Sequence, residues 1–300
     1  MKTFRALVRR EFWEHRSLWL TPFLVAALIL LGVAVQGEWQ SVTAPPPPPG
    51  ALRGAPPAVF GVLNLEALFF IAAGIVAVAY LMDCLYAERR DRSILFWRSL
   101  PVSDRATVLA KFFVATVAVP ALFYGVAFGT TALALEWELL RGSSILAWSE
   151  WLRLQGVLLY TTVATVLWYA PYAAYLMVVS AWARRSVFAW AVTPPLLVAL
   201  VERVVFGTTY VGRIVQRGFN ELYRLAFRVN QQVNFALGDV LQPMRGSMGG
   251  PGGGRGPRPG PELHFDPTEL LASPALWLGL AAAALLLAAA IRLRQRDRDA

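Results

Sequence analysis

The stretch VFGVLNLEALFFIAAGIVAVAYLM, residues 59–82, decides how this chain folds. It runs for 24 residues and carries one charge, Glu66. A helix rises ~1.5 Å per residue, so ~20 apolar residues cross a ~30 Å hydrocarbon layer. Inside that layer the backbone polar groups must be satisfied within the segment, which selects the helix for an isolated apolar block.

Five further blocks of the same kind flank it, at 18–36, 108–135, 155–182, 187–206 and 274–291. Only 16% of residues are charged, against about 25% in a soluble domain. The pattern predicts an all-α polytopic membrane protein: one transmembrane domain, 1–300, built on six transmembrane helices. The charged lead before 18–36 is long and no A-x-A-like site follows, so this block reads as an uncleaved span.

The connections differ in character. In residues 1–17, Phe4, Leu7, Val8 and Phe12 fall at helical spacing among Arg5, Arg9, Arg10 and Arg16. That predicts an amphipathic interfacial helix. Residues 43–57 are Pro-rich, which excludes helix and predicts an external loop. Residues 207–271 form a long insertion between the last two spans. Arg213, Arg217, Arg224 and Arg228 share one helical face there, and Leu222, Leu225, Val229, Val233 and Leu237 another. Its part at 246–261 is Gly/Pro-rich and is expected to be flexible. Pro120, Pro171 and Pro194-Pro195 interrupt spans three, four and five and are expected to kink them.

Arginine and lysine in short loops set the orientation. The N-terminal tail and the 83–105 loop hold five each, the C-terminal tail four and the 183–186 turn two. The opposite loops hold only Arg53, and Arg141 with Arg153. Both termini are therefore expected in the cytoplasm of a multi-pass plasma-membrane protein. The net charge of +9 flanks apolar blocks and forms no basic stripe with interleaved aromatics, so membrane lipid is the expected partner and nucleic acid is not.

Catalytic patterns are missing. The lysines are Lys2 and Lys111, and neither closes a G-x-x-x-x-G-K-[ST] loop, so no P-loop ATPase lies in this chain. G-x-S-x-G and H-E-x-x-H are absent. One cysteine, Cys84, and two distant histidines leave no zinc spacing and no internal disulfide. No catalytic residue, metal site or cofactor is expected here. Three ionisable residues inside spans are singled out: Glu66, Glu202 and Arg203. Two readings stand for them: a translocation path, or pairing and interfacial placement.

The loop at 83–105 is the most informative connection. Asp91 caps, and Pro101 stops, a short segment that contains Ser93, Ile94, Leu95, Phe96, Trp97 and Leu100. Ser103 and Asp104 then suit the start of the next helix. Trp and Arg are enriched at the energetic centres of protein interfaces. An aromatic anchor at the lipid surface is the other reading.

LVRREFWEHR before the first span and YAERRDRSILFWRSLPVSD between spans two and three resemble the permease subunits of ABC-2 type transporters. The overall plan is similar along essentially the whole chain: surface helix, six spans, a short cytoplasmic coupling helix after span two and an extracytoplasmic helical insertion before span six. The resemblance implies an ABC exporter in a bacterial inner membrane, with ATP and magnesium bound by a separate ABC ATPase subunit. It also implies a second permease copy, or a related permease, across the path. The ATPase-coupling role would fall on Glu88, Arg89, Arg90, Asp91, Arg92, Phe96, Trp97, Arg98, Leu100 and Pro101. Two other classes remain: a non-transporting membrane scaffold, and an intramembrane enzyme, which needs more clustered ionisable groups than Glu66 and Glu202-Arg203.

Overall fold

A computed structural model describes residues 2–36, 57–91, 103–141, 146–209, 227–228, 264–265 and 267–299. The regular elements are helical apart from one short strand pairing. Helix α1 spans Lys2–Glu14, α2 Ser17–Gln36, α3 Pro57–Asp83 and α4 Tyr86–Arg90. Helix α5, Asp104–Phe113, continues through a π turn, Val114–Ala118, into α6, Val119–Leu140. Then follow α7, Trp148–Trp182, α8, Val187–Val205, α9, Pro267–Ala272, and α10, Pro274–Asp299. Among the described residues, six helical stretches are long and apolar enough to cross a membrane, the architecture of a multi-pass membrane protein.

The six lie on the six apolar blocks, but three extend further. Span three starts at Asp104 because Ser103 caps it, its hydroxyl accepting from the Ala106 N–H at 3.2 Å. Span four starts at Trp148, inside the expected 136–153 loop, because Trp151 packs into the core with its ring 4.7 Å from that of Phe128. Span six runs on to Asp299 through charged residues, and Arg294 is buried there.

The α5–α6 unit is the centre of the bundle. Against it pack α1, α2, α3, α7 and α10, and the core contains Leu18, Leu65, Phe69, Phe123, Leu135 and Met177. Pro120 sits just after the π turn: proline has no N–H and clashes with the preceding turn, and the wider turn relieves that conflict. Pro171 and Pro194-Pro195 stay within continuous helices. Helices α7 and α10 meet through small residues, Ala170, Ala174 and Ala283, which let two backbones approach. Helix α8 lies on the outside, touching α7 and α3. It ends where Gly207 takes φ +62°, the left-handed conformation that suits glycine after a helix.

Helix α1 has a buried and an exposed face. Leu7 is buried, Phe4, Val8 and Phe12 are half-buried, and Arg5 and Arg9 are exposed. Its apolar face rests on protein, with Phe4 edge-on to Phe113 at 5.7 Å. Phe227–Arg228 pairs antiparallel with His264–Phe265. The arginine spacing predicts helix through Arg228; the chain is extended there, since a backbone paired with a second strand does not also make i to i−4 bonds. The rest of that predicted helix, the 43–56 part of the Pro-rich loop and the 246–261 segment lie outside the described residues.

Candidate functional site

Two clusters of buried polar side chains stand out among the described residues. The larger one gathers at the end of the bundle where α1, α4, the start of α5 and the end of α10 meet. Lys111 Nζ lies 2.9 Å from both Glu11 carboxylate oxygens and 3.2 Å from Glu88 Oε1. Tyr80 donates its hydroxyl to Glu11 Oε2 at 2.8 Å. Glu88 also receives Arg10 at 3.1 Å and Arg294 at 2.5 Å, and Arg294 Nε reaches Asp104 Oδ1 at 3.1 Å. Lys111 and Glu11 are each 1% exposed.

Helical periodicity explains the convergence. Glu11 follows Leu7 by one turn and so stands on the apolar face of α1. Lys111 is on the first turns of span three, facing that helix. A buried charge is tolerated only when paired and hydrogen-bonded, and here each has several partners. Burial alone would lower the Arg10 guanidinium; its hydrogen bond to Glu14 and the charges of Glu14, Glu11 and Glu88 outweigh burial and hold it above its ordinary value. Glu11, Glu14 and His15 bring possible ligand atoms within 4.8 Å of one another. Glu11 is already engaged by Lys111 and Tyr80, Glu14 by Arg10, and the His15 ring stands edge-on to Tyr80 at 5.0 Å.

The break between α3 and α4 is closed from α7. Ser180 Oγ accepts from the Leu85 and Tyr86 N–H groups at 3.2 and 3.1 Å and donates to the Met82 carbonyl at 2.8 Å. Arg89 donates to the carbonyls of Ser180 and Ala183, at 2.5 and 2.9 Å, covering acceptors that the end of α7 leaves open.

The residues carried over for ATPase coupling thus divide. Glu88 and Arg89 are inward anchors. Arg90 and Asp91 are exposed and bonded to each other at 3.0 Å. Arg92, Phe96, Trp97, Arg98, Leu100 and Pro101 lie outside the described residues.

The second site is Glu66, 1% exposed on α3. Its Oε1 accepts from Gln155 Nε2 of α7 at 2.5 Å, and Thr131 Oγ1 of α6 stands 3.4 Å away. Glu202 and Arg203 do not join it: Glu202 is half-buried near the end of α8 and accepts from Thr208 at 2.9 Å, and Arg203 is exposed. Glu66 also stands in the wall of a cavity of about 480 Å³ between α3, the α5–α6 unit and α7.

Sequence reading did not single out Glu11, Tyr80, Gln155 or Arg294, and considered Lys111 only for a P-loop. A signal was present for two of them. A carboxylate on the apolar face of α1 and a lysine inside an apolar block each demand an opposite charge. No protein-family model, curated protein or solved structure matches this chain.

Proposed function

We propose that this chain is the membrane-spanning permease subunit of an ATP-driven ABC exporter of the ABC-2 type. ATP and magnesium are bound by a separate ATPase subunit, and a second permease copy or a related permease completes the path. The chain sits in a bacterial inner membrane with both termini in the cytoplasm. ATP-driven closure of the ATPase pushes on residues 88–101, and the spans shift between states of different substrate affinity.

The observation that supports this reading is the anchoring of both roots of that loop. Glu88, at its start, is tied to α1, α5 and α10 through Arg10, Lys111 and Arg294. Asp104, just after it, is tied to the same Arg294. A push on the loop is thereby delivered to spans two, three and six together instead of being absorbed by a loose connection. A scaffold that only recruits proteins has no use for such stiffness.

The test is affinity purification of the intact complex from native membranes, followed by ATP hydrolysis. An ATPase subunit should co-purify, and hydrolysis should depend on it. Isolation of the permease with no ATPase, under conditions that keep its oligomer intact, would refute the reading.

A further inference from the structure

The cavity beside Glu66 is walled almost wholly by apolar and aromatic groups. Its aromatic lining includes Phe69, Phe70, Phe123, Tyr124, Tyr169 and Tyr172. Its volume, about 480 Å³, falls in the range of pockets that hold drug-sized molecules. The π turn contributes Ala115 and Thr116 to the wall, and Pro120 adds to it. Widened turns of this kind recur at functional sites.

Two acceptors at this place lack donors. Among the described residues, neither Glu66 Oε2 nor Gln155 Oε1 has a hydrogen-bond partner, although both atoms are buried. The described residues lining the cavity include no Lys, Arg or His. The cations of the bundle's other polar site, Arg10, Lys111 and Arg294, are committed to Glu11, Glu14, Glu88 and Asp104. An ionised carboxylate buried in an apolar wall requires an opposite charge and donors; without them it takes up a proton. Aromatic faces attract that same charge.

We propose that this cavity binds a hydrophobic molecule bearing an ammonium group, with the N–H groups satisfying Glu66 and the apolar body lying among the aromatic rings. The ammonium supplies both missing features, positive charge and several donors. Gln155 and Thr131 hold the carboxylate in place from α7 and α6. The inference does not depend on an ATPase partner, so failure of the exporter reading leaves it standing, and its own failure leaves that reading untouched.

The experiment uses the full chain in lipid nanodiscs, with empty nanodiscs subtracted for partitioning. The probe is dansylcadaverine, a fluorescent lipophilic primary amine, compared with its neutral N-acetylated form. Wild type should bind the amine saturably and about tenfold or more tighter than the acetylated form, as expected for a hydrogen bond to a charged group. Glu66→Gln should erase that difference while leaving the weaker binding of the neutral form. Gly74→Trp, which adds an indole at a glycine that lines the cavity and where an added Cβ meets nothing within 4 Å, should abolish binding of both.

Nanodiscs of phosphatidylethanolamine and of phosphatidylglycerol separate two sources of the ammonium. Competition by the former alone assigns a lipid headgroup, and equal binding in both assigns a free amphiphilic amine. Equal affinity of wild type for the charged and neutral probes would overturn the proposal; Glu66 would then be a neutral carboxyl donating to Gln155. Undiminished binding by Gly74→Trp would overturn it as well. If Glu66→Gln does not fold, the wild-type comparison and Gly74→Trp still decide.

Discussion

Lys111 Nζ stands 2.9 Å from both oxygens of the Glu11 carboxylate, and each side chain is 1% exposed. The two residues lie 100 positions apart in sequence, so this pair fastens α1 to span three. Removing one partner of a buried pair leaves the other charge desolvated, which costs about 3–5 kcal/mol. Lys111→Met should therefore lower the thermal midpoint of the purified protein sharply. Adding Glu11→Leu should recover part of the loss, because both charges are then gone. A double variant less stable than Lys111→Met alone would contradict this.

Ser180 should matter out of proportion to its size. One hydroxyl serves two N–H groups and one carbonyl where α3 breaks into α4. Ser180→Ala leaves buried backbone groups unpaired, a loss of about 1–3 kcal/mol. Amide hydrogen exchange at residues 84–90 should speed up while exchange in the middle of α3 stays slow.

The contact between α7 and α10 depends on small side chains. Ala174 is fully buried against α10, whereas Leu278 on α10 is 71% exposed. Ala174→Leu should overpack this seam and destabilise by about 1–3 kcal/mol, and Leu278→Ala should leave the thermal midpoint nearly unchanged. Equal effects of the two substitutions would mean that α10 is oriented differently.

The six spans were legible because each buries or exposes an uninterrupted apolar run, a property of the segment alone. Their ends were less so: Trp148 and Trp151 extend α7 into a stretch that reads as polar, since Glu150 and Arg153 share it. The polar network was not legible as a network. Glu11, Glu88, Lys111 and Arg294 come from distant positions, and periodicity can mark a charge as out of place without identifying the partner that neutralises it. Glu66 was visible as a misplaced charge, but the cavity next to it depends on how α3, α6 and α7 cross.

The segment between Asp91 and Pro101 offers a test on side chains chosen from sequence. The sequence puts two aromatic side chains, Phe96 and Trp97, in the stretch proposed to dock on the ATPase subunit. Truncating an interface anchor typically costs about 2 kcal/mol or more. Phe96→Ala with Trp97→Ala should weaken co-purification of the ATPase, or uncouple its hydrolysis from transport, at unchanged membrane insertion. Full binding and full transport in the double variant would assign these rings to the lipid surface.

The last prediction concerns sidedness, and the polar contacts sharpen it. Arg294 of α10 bonds Glu88 and Asp104, Arg10 of α1 bonds Glu88, and Arg89 bonds the Ala183 carbonyl beside Arg184-Arg185. Four basic segments that the loop counts put on one side therefore converge at one end of the bundle, the end that the proposed orientation places in the cytoplasm. Cys84 is buried and is the only cysteine, so Cys84→Ala provides a background free of thiols. In that background Arg9→Cys and Arg185→Cys, both at exposed positions, should react with a membrane-impermeant maleimide only after the cells are opened. Arg141→Cys, at the other end of span three and also exposed, should react in intact cells. Labelling of Arg185→Cys from outside with Arg9→Cys protected would separate two ends that Arg89, Glu88 and Arg10 hold together, and would refute the packing itself. Reversal of all three would keep the packing and invert the orientation, leaving residues 88–101 on the side without ATP and removing the ground for the exporter reading.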